Sequence, residues 1–166
     1  MDLQTGDIFL TYQGGFIPRC IRAVIKFWSV DNDADYIHAG IITSSNGSTF
    51  EARTKTGCYH ISDFTGIPVL IGRHKLMTKE RFDRGMKSVA RYEGAFYPWW
   101  RIALYLFRPL AKTGTGDFLV CSELVSKFLC GCGLLDNYKG WTPDNLADMV
   151  THWKLWDIIH EGENNV

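Results

Sequence analysis

The chain predicts an α+β fold in which one antiparallel sheet packs against a few helices. Short β-rich runs are separated by Gly, Asn and Ser clusters that read as turns. Longer segments carry apolar residues at helical spacing and close on glycine. No internal repeat, low-complexity tract or linker divides the 166 residues, so one domain over 1–166 is expected.

Taken in order, Gly6-Asp7 is turn chemistry leading into a strand, Ile8 to Tyr12. Pro18 starts a short helix with Ile21, Val24, Ile25 and Trp28 on one face. His38 to Thr43 is β-rich, Ser44 to Ser48 is a turn cluster, and Thr49 to Arg53 returns, which is a hairpin signal. Further short strands are expected at Cys58 to Ile61 and Val69 to Gly72. Thr78 is the N-cap of a helix reaching Tyr92, with Phe82, Met86, Val89 and Ala90 inward and Gly94 ending it. Trp99 to Phe107 is apolar and helical. A helix runs from Cys121 to about Cys130, where Gly131 and Gly133 stop it. Pro143 starts another helix, and Trp153 to Ile159 is a closing strand.

Formal net charge is zero and no Lys/Arg-rich run is present, which argues against nucleic acid as a partner. The first residues lack a basic stretch followed by an apolar one, so no signal peptide is expected. The longest apolar run, around Ile102 to Phe107, is far short of the ~20 residues of a membrane span. No integral membrane segment and a cytoplasmic location follow as expectations. Five cysteines, an odd number, point to reduced thiols. A zinc site built from Cys20, Cys58, His60, Cys130 and Cys132 lacks the usual ligand spacing, so these thiols are read as buried and free, with no metal.

Cys121 carries the chemistry. Leu124, Val125, Phe128 and Leu129 follow it at i+3, i+4, i+7 and i+8, so the cysteine sits on the core-facing side of its helix. It also stands at the helix N-terminus, where unsatisfied N–H groups and the positive dipole end favour a thiolate and can hold an oxyanion. Position alone leaves a buried structural cysteine as the alternative. A nucleophile needs a base and a group that orients it. His38 begins a strand, and Glu51 lies on the return strand of the same hairpin. A two-residue turn at Asn46-Gly47 puts Glu51 opposite Ile42, too far from His38. A four-residue turn, Ser44 to Gly47, makes Glu51 the diagonal neighbour of His38, ~7–8 Å away between backbones and within side-chain reach.

These residues carry a resemblance. Gly6-Asp7-Ile8, His38-Ala39-Gly40-Ile41, Phe50-Glu51-Ala52 and Cys121-Ser122-Glu123-Leu124-Val125, in that order, resemble the circularly permuted papain-fold cysteine hydrolases. These are the YiiX-like relatives of the NlpC-type cell-wall peptidases. In the unpermuted branch the cysteine helix comes first; moving it to the end gives the order seen here. The motifs span residues 6 to 125.

The resemblance implies a permuted papain-like fold, Cys121 as nucleophile, His38 as base and Glu51 orienting the imidazole. It also implies a tyrosine beside the thiol. Gly94-Ala95-Phe96-Tyr97 fits that setting, although Pro98 stands where the family has Asp. Tyr97 and one of Trp99 or Trp100 are expected to touch substrate, with core packing as their alternative. Asp7 has no implied chemical role, and Glu123, facing away from the apolar stripe, is read as structural. The implied activity is that of a cysteine amidase or peptidase working through a thioacyl-enzyme, without metal or organic cofactor. Its substrate is a peptide, of cell-wall type in the family, met as recycled fragments or outside the cell through a phage or secretion system. An acyltransferase or lipid-ester hydrolase with an acyl substrate and the same Cys-His pair is the rival. A non-catalytic binding module is the third reading.

Overall fold

The computed structural model describes residues 1–12, 36–97 and 119–165. The Pro18 helix, Cys20, and the aromatic segment with Trp99 and Trp100 lie outside the described residues. Within the described residues six strands appear in chain order: β1 (Ile8–Thr11), β2 (His38–Ile42), β3 (Ser48–Ala52), β4 (Thr56–His60), β5 (Pro68–His74) and β6 (Trp156–Glu163). Among the described residues three α-helices accompany them: α1 (Lys79–Val89), α2 (Cys121–Cys132) and α3 (Pro143–His152). Single 3-10 turns cover Ile61–Phe64 and Ala90–Tyr92. The strands form one antiparallel sheet in the order β4-β3-β2-β1-β5-β6, giving the expected α+β architecture.

Strand alternation divides the core in two. Ile8, Leu10, Ala39, Ile41 and Leu70 join Leu124, Val125, Phe128 and Leu129 of α2 in the larger cluster. Phe9, Ile42, Ile61, Phe64, Val69 and Ile71 pack together in a second cluster, with Leu3 from the N-terminus. Consecutive residues of β1 thus face different clusters, and all four are fully buried. Among the described residues no helix is long and apolar enough to cross a membrane.

Several boundaries differ from expectation, each for a local reason. β4 begins two residues early and ends at His60, because the His60 ring accepts the Ser62 N–H and starts the 3-10 turn at Ile61. The closing strand starts at Trp156 rather than Trp153, since the Trp153 N–H still bonds back to Met149 at the end of α3. Thr78 caps α1 through the Arg81 N–H, as the spacing predicts, but the α-helix ends at Val89 and Ala90 is exposed. Gly131 does not stop α2. A Cβ there would meet Ser88 Oγ at 2.5 Å and Gly85 Cα at 3.0 Å, so this glycine lets α1 and α2 cross closely. The stop is Gly133, left-handed at φ 69°, whose N–H returns to Cys130 and Leu129 carbonyls.

Candidate active site

The hairpin turn decides where Glu51 stands. Gly40 pairs with Glu51 and Ile42 with Thr49, and the Thr43 N–H bonds the Ser48 carbonyl, so the turn holds four residues, Ser44 to Gly47. Glu51 thereby falls on the same face as His38, and His38 Nε2 meets Glu51 Oε2 at 2.6 Å. Gly40, between them on that face, leaves room that no other residue would. A Cβ there would lie 2.4 Å from the Phe9 ring and 3.0 Å from Glu51 Cβ. Phe9 and Phe64 flank the imidazole at 6.2 and 5.7 Å between ring centres.

Cys121 is the first residue of α2 and is buried, at 4% exposure. Val120 precedes it in extended conformation and caps the helix without a side-chain oxygen; the Val120 N–H instead reaches Glu123 Oε2 at 3.5 Å. Glu123 is thus a buried capping residue. The thiol lies against the start of β2, donating to the Ile37 carbonyl at 4.0 Å and accepting the Ala39 N–H. His38, the residue between those two, hydrogen-bonds the sulfur with its ring. Since Nε2 is engaged by Glu51, Nδ1 is the nitrogen left for the thiol. Tyr97 donates its hydroxyl to the sulfur at 3.9 Å, held in place by its own N–H on the Thr54 carbonyl.

The electrostatics turn on desolvation against partners. Burial pushes the Cys121 thiol up, but the His38 ring, the Ala39 N–H and the Tyr97 hydroxyl bring it below its ordinary value. Burial would lower His38, yet Cys121 and Glu51 push it up to about 9. Glu51, likewise desolvated, is held below the usual carboxylate range by His38, Arg53 and Thr49. Each group thus favours the charged form of its neighbour: the thiol and the carboxyl are drawn toward thiolate and carboxylate, and the ring between them toward imidazolium.

Of the candidates read from the sequence, Cys121, His38, Glu51 and Tyr97 come together; Trp99 and Trp100 lie outside the described residues. Arg53 and Thr49 were not singled out, although both stand two residues from Glu51 and so share its face. Among the described cysteines, Cys58 is exposed and Cys130 half-buried rather than buried, because Cys58 sits on edge strand β4 and Cys130 on the outer side of α2. Among the described residues no group of three His, Cys, Asp or Glu side chains is gathered that could hold a metal ion.

No family model matches the chain, and no curated protein sequence does. Among solved structures the chain is similar to the crystal structure of metalloprotein yiiX from Escherichia coli O157:H7, DUF1105. The TM-score is 0.59 at 16% identity, with 97% of this chain and 90% of that chain covered. The fold is YiiX-like. At that identity the likeness speaks for the backbone alone, and the YiiX-like fold says nothing by itself about chemistry.

Proposed function

We propose that this chain is a cysteine-dependent amidase or peptidase of the NlpC type, cleaving a peptide amide through a thioacyl-enzyme. One observation supports this above the others. A buried cysteine at a helix N-terminus has its pKa lowered, not raised, because a histidine backed by a buried carboxylate lies against it. A structural thiol has no use for that arrangement, and neither does a binding module.

In the proposed reaction the Cys121 thiolate attacks the amide carbonyl carbon, forming the C–S bond. The oxyanion that develops is held by N–H groups of the first turn of α2, which have no intrahelical acceptor, with the Tyr97 hydroxyl beside them. The His38 imidazolium gives its proton to the departing amine as the C–N bond breaks. Neutral His38 then takes a proton from water, which attacks the thioester. The C–S bond breaks, releasing the acid and restoring thiolate and imidazolium. Glu51 keeps the ring facing the sulfur throughout.

The test is a peptide-amide library and an acyl-ester library assayed with the purified chain and with Cys121→Ala. Amide turnover that Cys121→Ala abolishes is expected. Turnover confined to esters moves the chain to the acyl-transfer and lipid-ester class, and amide turnover surviving in Cys121→Ala overturns the proposal.

A further inference from the structure

Glu51 is fully buried, and an isolated carboxyl there would keep its proton. Every acceptor position it offers is instead filled. Oε2 receives His38 Nε2 at 2.6 Å and Arg53 Nε at 2.9 Å; Oε1 receives the Thr49 hydroxyl at 2.6 Å and Arg53 Nη2 at 3.1 Å. Arg53 thus grips the carboxylate with two arms. Its third arm, Nη1, donates to Asp63 Oδ2 at 2.8 Å on the 3-10 turn after β4. Its flat guanidinium lies 4.3 Å from the centre of the Tyr59 ring and 4.7 Å from that of Phe64, the same Phe64 that packs on His38.

This is far more restraint than a surface arginine receives. A fork bound bidentately, anchored at its far end and stacked on aromatic rings has little freedom left, and neither does the carboxylate it holds. The groups in contact with Glu51 are His38 from β2 and Thr49 and Arg53 from β3 and its end, with Tyr59 of β4 and Asp63 of the 3-10 turn beyond Arg53 and Cys121 beyond His38. Of these, Arg53 contributes the permanent positive charge in contact with the carboxylate.

We propose that Arg53 is a positioning residue of the site: anchored by Asp63 and stacked on Tyr59 and Phe64, it fixes Glu51 as an ionised, singly oriented partner for His38. The inference rests on the proposed Cys121–His38 chemistry but is read through the thiol and the ring rather than through turnover. Removing the guanidinium leaves the buried carboxyl free to take a proton at acid pH and to rotate. The His38 Nε2–H then loses its fixed acceptor, and the thiolate loses its imidazolium.

The experiment labels the full chain with iodoacetamide across pH, quantifies Cys121 by peptide mass spectrometry, and follows the His38 Nε2 proton by NMR. In Arg53→Met, labelling of Cys121 at acid pH should fall roughly tenfold, the worth of one charge-assisted hydrogen bond, and recover toward alkaline pH. The Nε2 proton should give a sharp signal in the unmodified chain and exchange away at acid pH in Arg53→Met. Arg53→Lys, which keeps the charge without the fork, should restore part of both, and Asp63→Asn should show a weaker form of the defect. A loss uniform across pH that tracks melting reduces Arg53 to a structural role. Unchanged profiles in a folded Arg53→Met overturn the proposal outright. Should Arg53→Met fail to fold, Arg53→Lys with an unaltered Nε2 proton and labelling profile overturns it equally. If Cys121 of the unmodified chain labels like an ordinary thiol, the proposed function fails instead, and the Nε2 proton still decides the clamp.

Discussion

Helix α2 carries a buried cysteine at each end, and their chemistry is opposite. Cys121 at the first position is held below the ordinary thiol value; Cys132 at the last is pushed up to about 12. Both are out of solvent, at 4% and 0% exposure, so burial penalises either thiolate and does not separate them. Partners do. Cys121 has an imidazolium, a backbone N–H and a phenol hydroxyl aimed at its sulfur, at the positive end of the helix dipole. Cys132 lies at the negative end. Arg81 and Arg84 approach it, yet their hydrogen bonds go to its carbonyl rather than its sulfur, and their charges, together with a backbone bond from Gly85, do not offset the burial. One helix thus favours the thiolate at one end and penalises it at the other, with the same residue type at both.

The comparison breaks most severely at His38. Without the ring, Cys121 keeps its burial and loses its cation, so its thiol should move toward the behaviour of Cys132. His38→Ala should cut turnover ~100- to 10,000-fold, the usual worth of a positioned base, and slow iodoacetamide labelling of Cys121 at neutral pH. Labelling of exposed Cys58 is the internal control. Equal labelling of Cys121 with and without His38 would mean the helix terminus alone activates the thiol.

A smaller break comes through Glu51. Glu51→Gln should lower turnover by roughly 10- to 100-fold, the order lost when an orienting partner goes, and by less than Cys121→Ala. It also has a pH signature. Glu51 is held below its ordinary 4.5, so its contribution to stability is present above that value and is lost as pH falls through its lower folded value. His38, raised to about 9, stabilises fully below its ordinary 6.5 and loses that contribution as pH rises through about 9. The melting-temperature gap between the chain and Glu51→Gln should therefore close on acidification. A gap that widens toward acid would refute the ionised carboxylate.

The gentlest test sharpens the contrast from the other end. A Cβ on Gly85 would meet Cys132 Sγ at 2.4 Å and the Phe128 ring at 2.7 Å. Gly85→Ala should cost ~1–3 kcal/mol by overpacking, seen as a lower denaturation midpoint. Cys121 labelling should stay unchanged, because Cys132 and Cys121 lie at opposite ends of α2. A parallel loss of labelling would show that the two ends are coupled.

Strand positions and two helix starts were legible because local chemistry sets them: alternation along Ile8 to Thr11, the Thr78 cap, Pro143 at the head of α3. What depended on neighbours in space was not. Gly131 carries the local mark of a helix stop, and only the crossing with α1 explains it. The hairpin left two closures open, since turn residues at Ser44 to Gly47 suit either; the Thr43–Ser48 backbone bond and the His60 Nε2 contact with the Asn46 carbonyl go with the longer one. Arg53 could not be singled out from the sequence, because Asp63 and Phe64, which fold back over it, lie ten and eleven residues later.

The four-residue turn acts as a ruler, and this bears on how the chain can change over generations. Substitutions among Ser44 to Gly47 that keep the turn's span leave His38 and Glu51 in register. Loss of a single residue is a different event, because a one-step slip sends every side chain of β3 to the opposite face. Glu51 would then turn toward α2, Phe50 would take its place under His38, and three well-chosen residues would survive in the sequence with no site to form. Lineages carrying this hairpin should accordingly vary freely in the letters of the turn and hardly at all in its length.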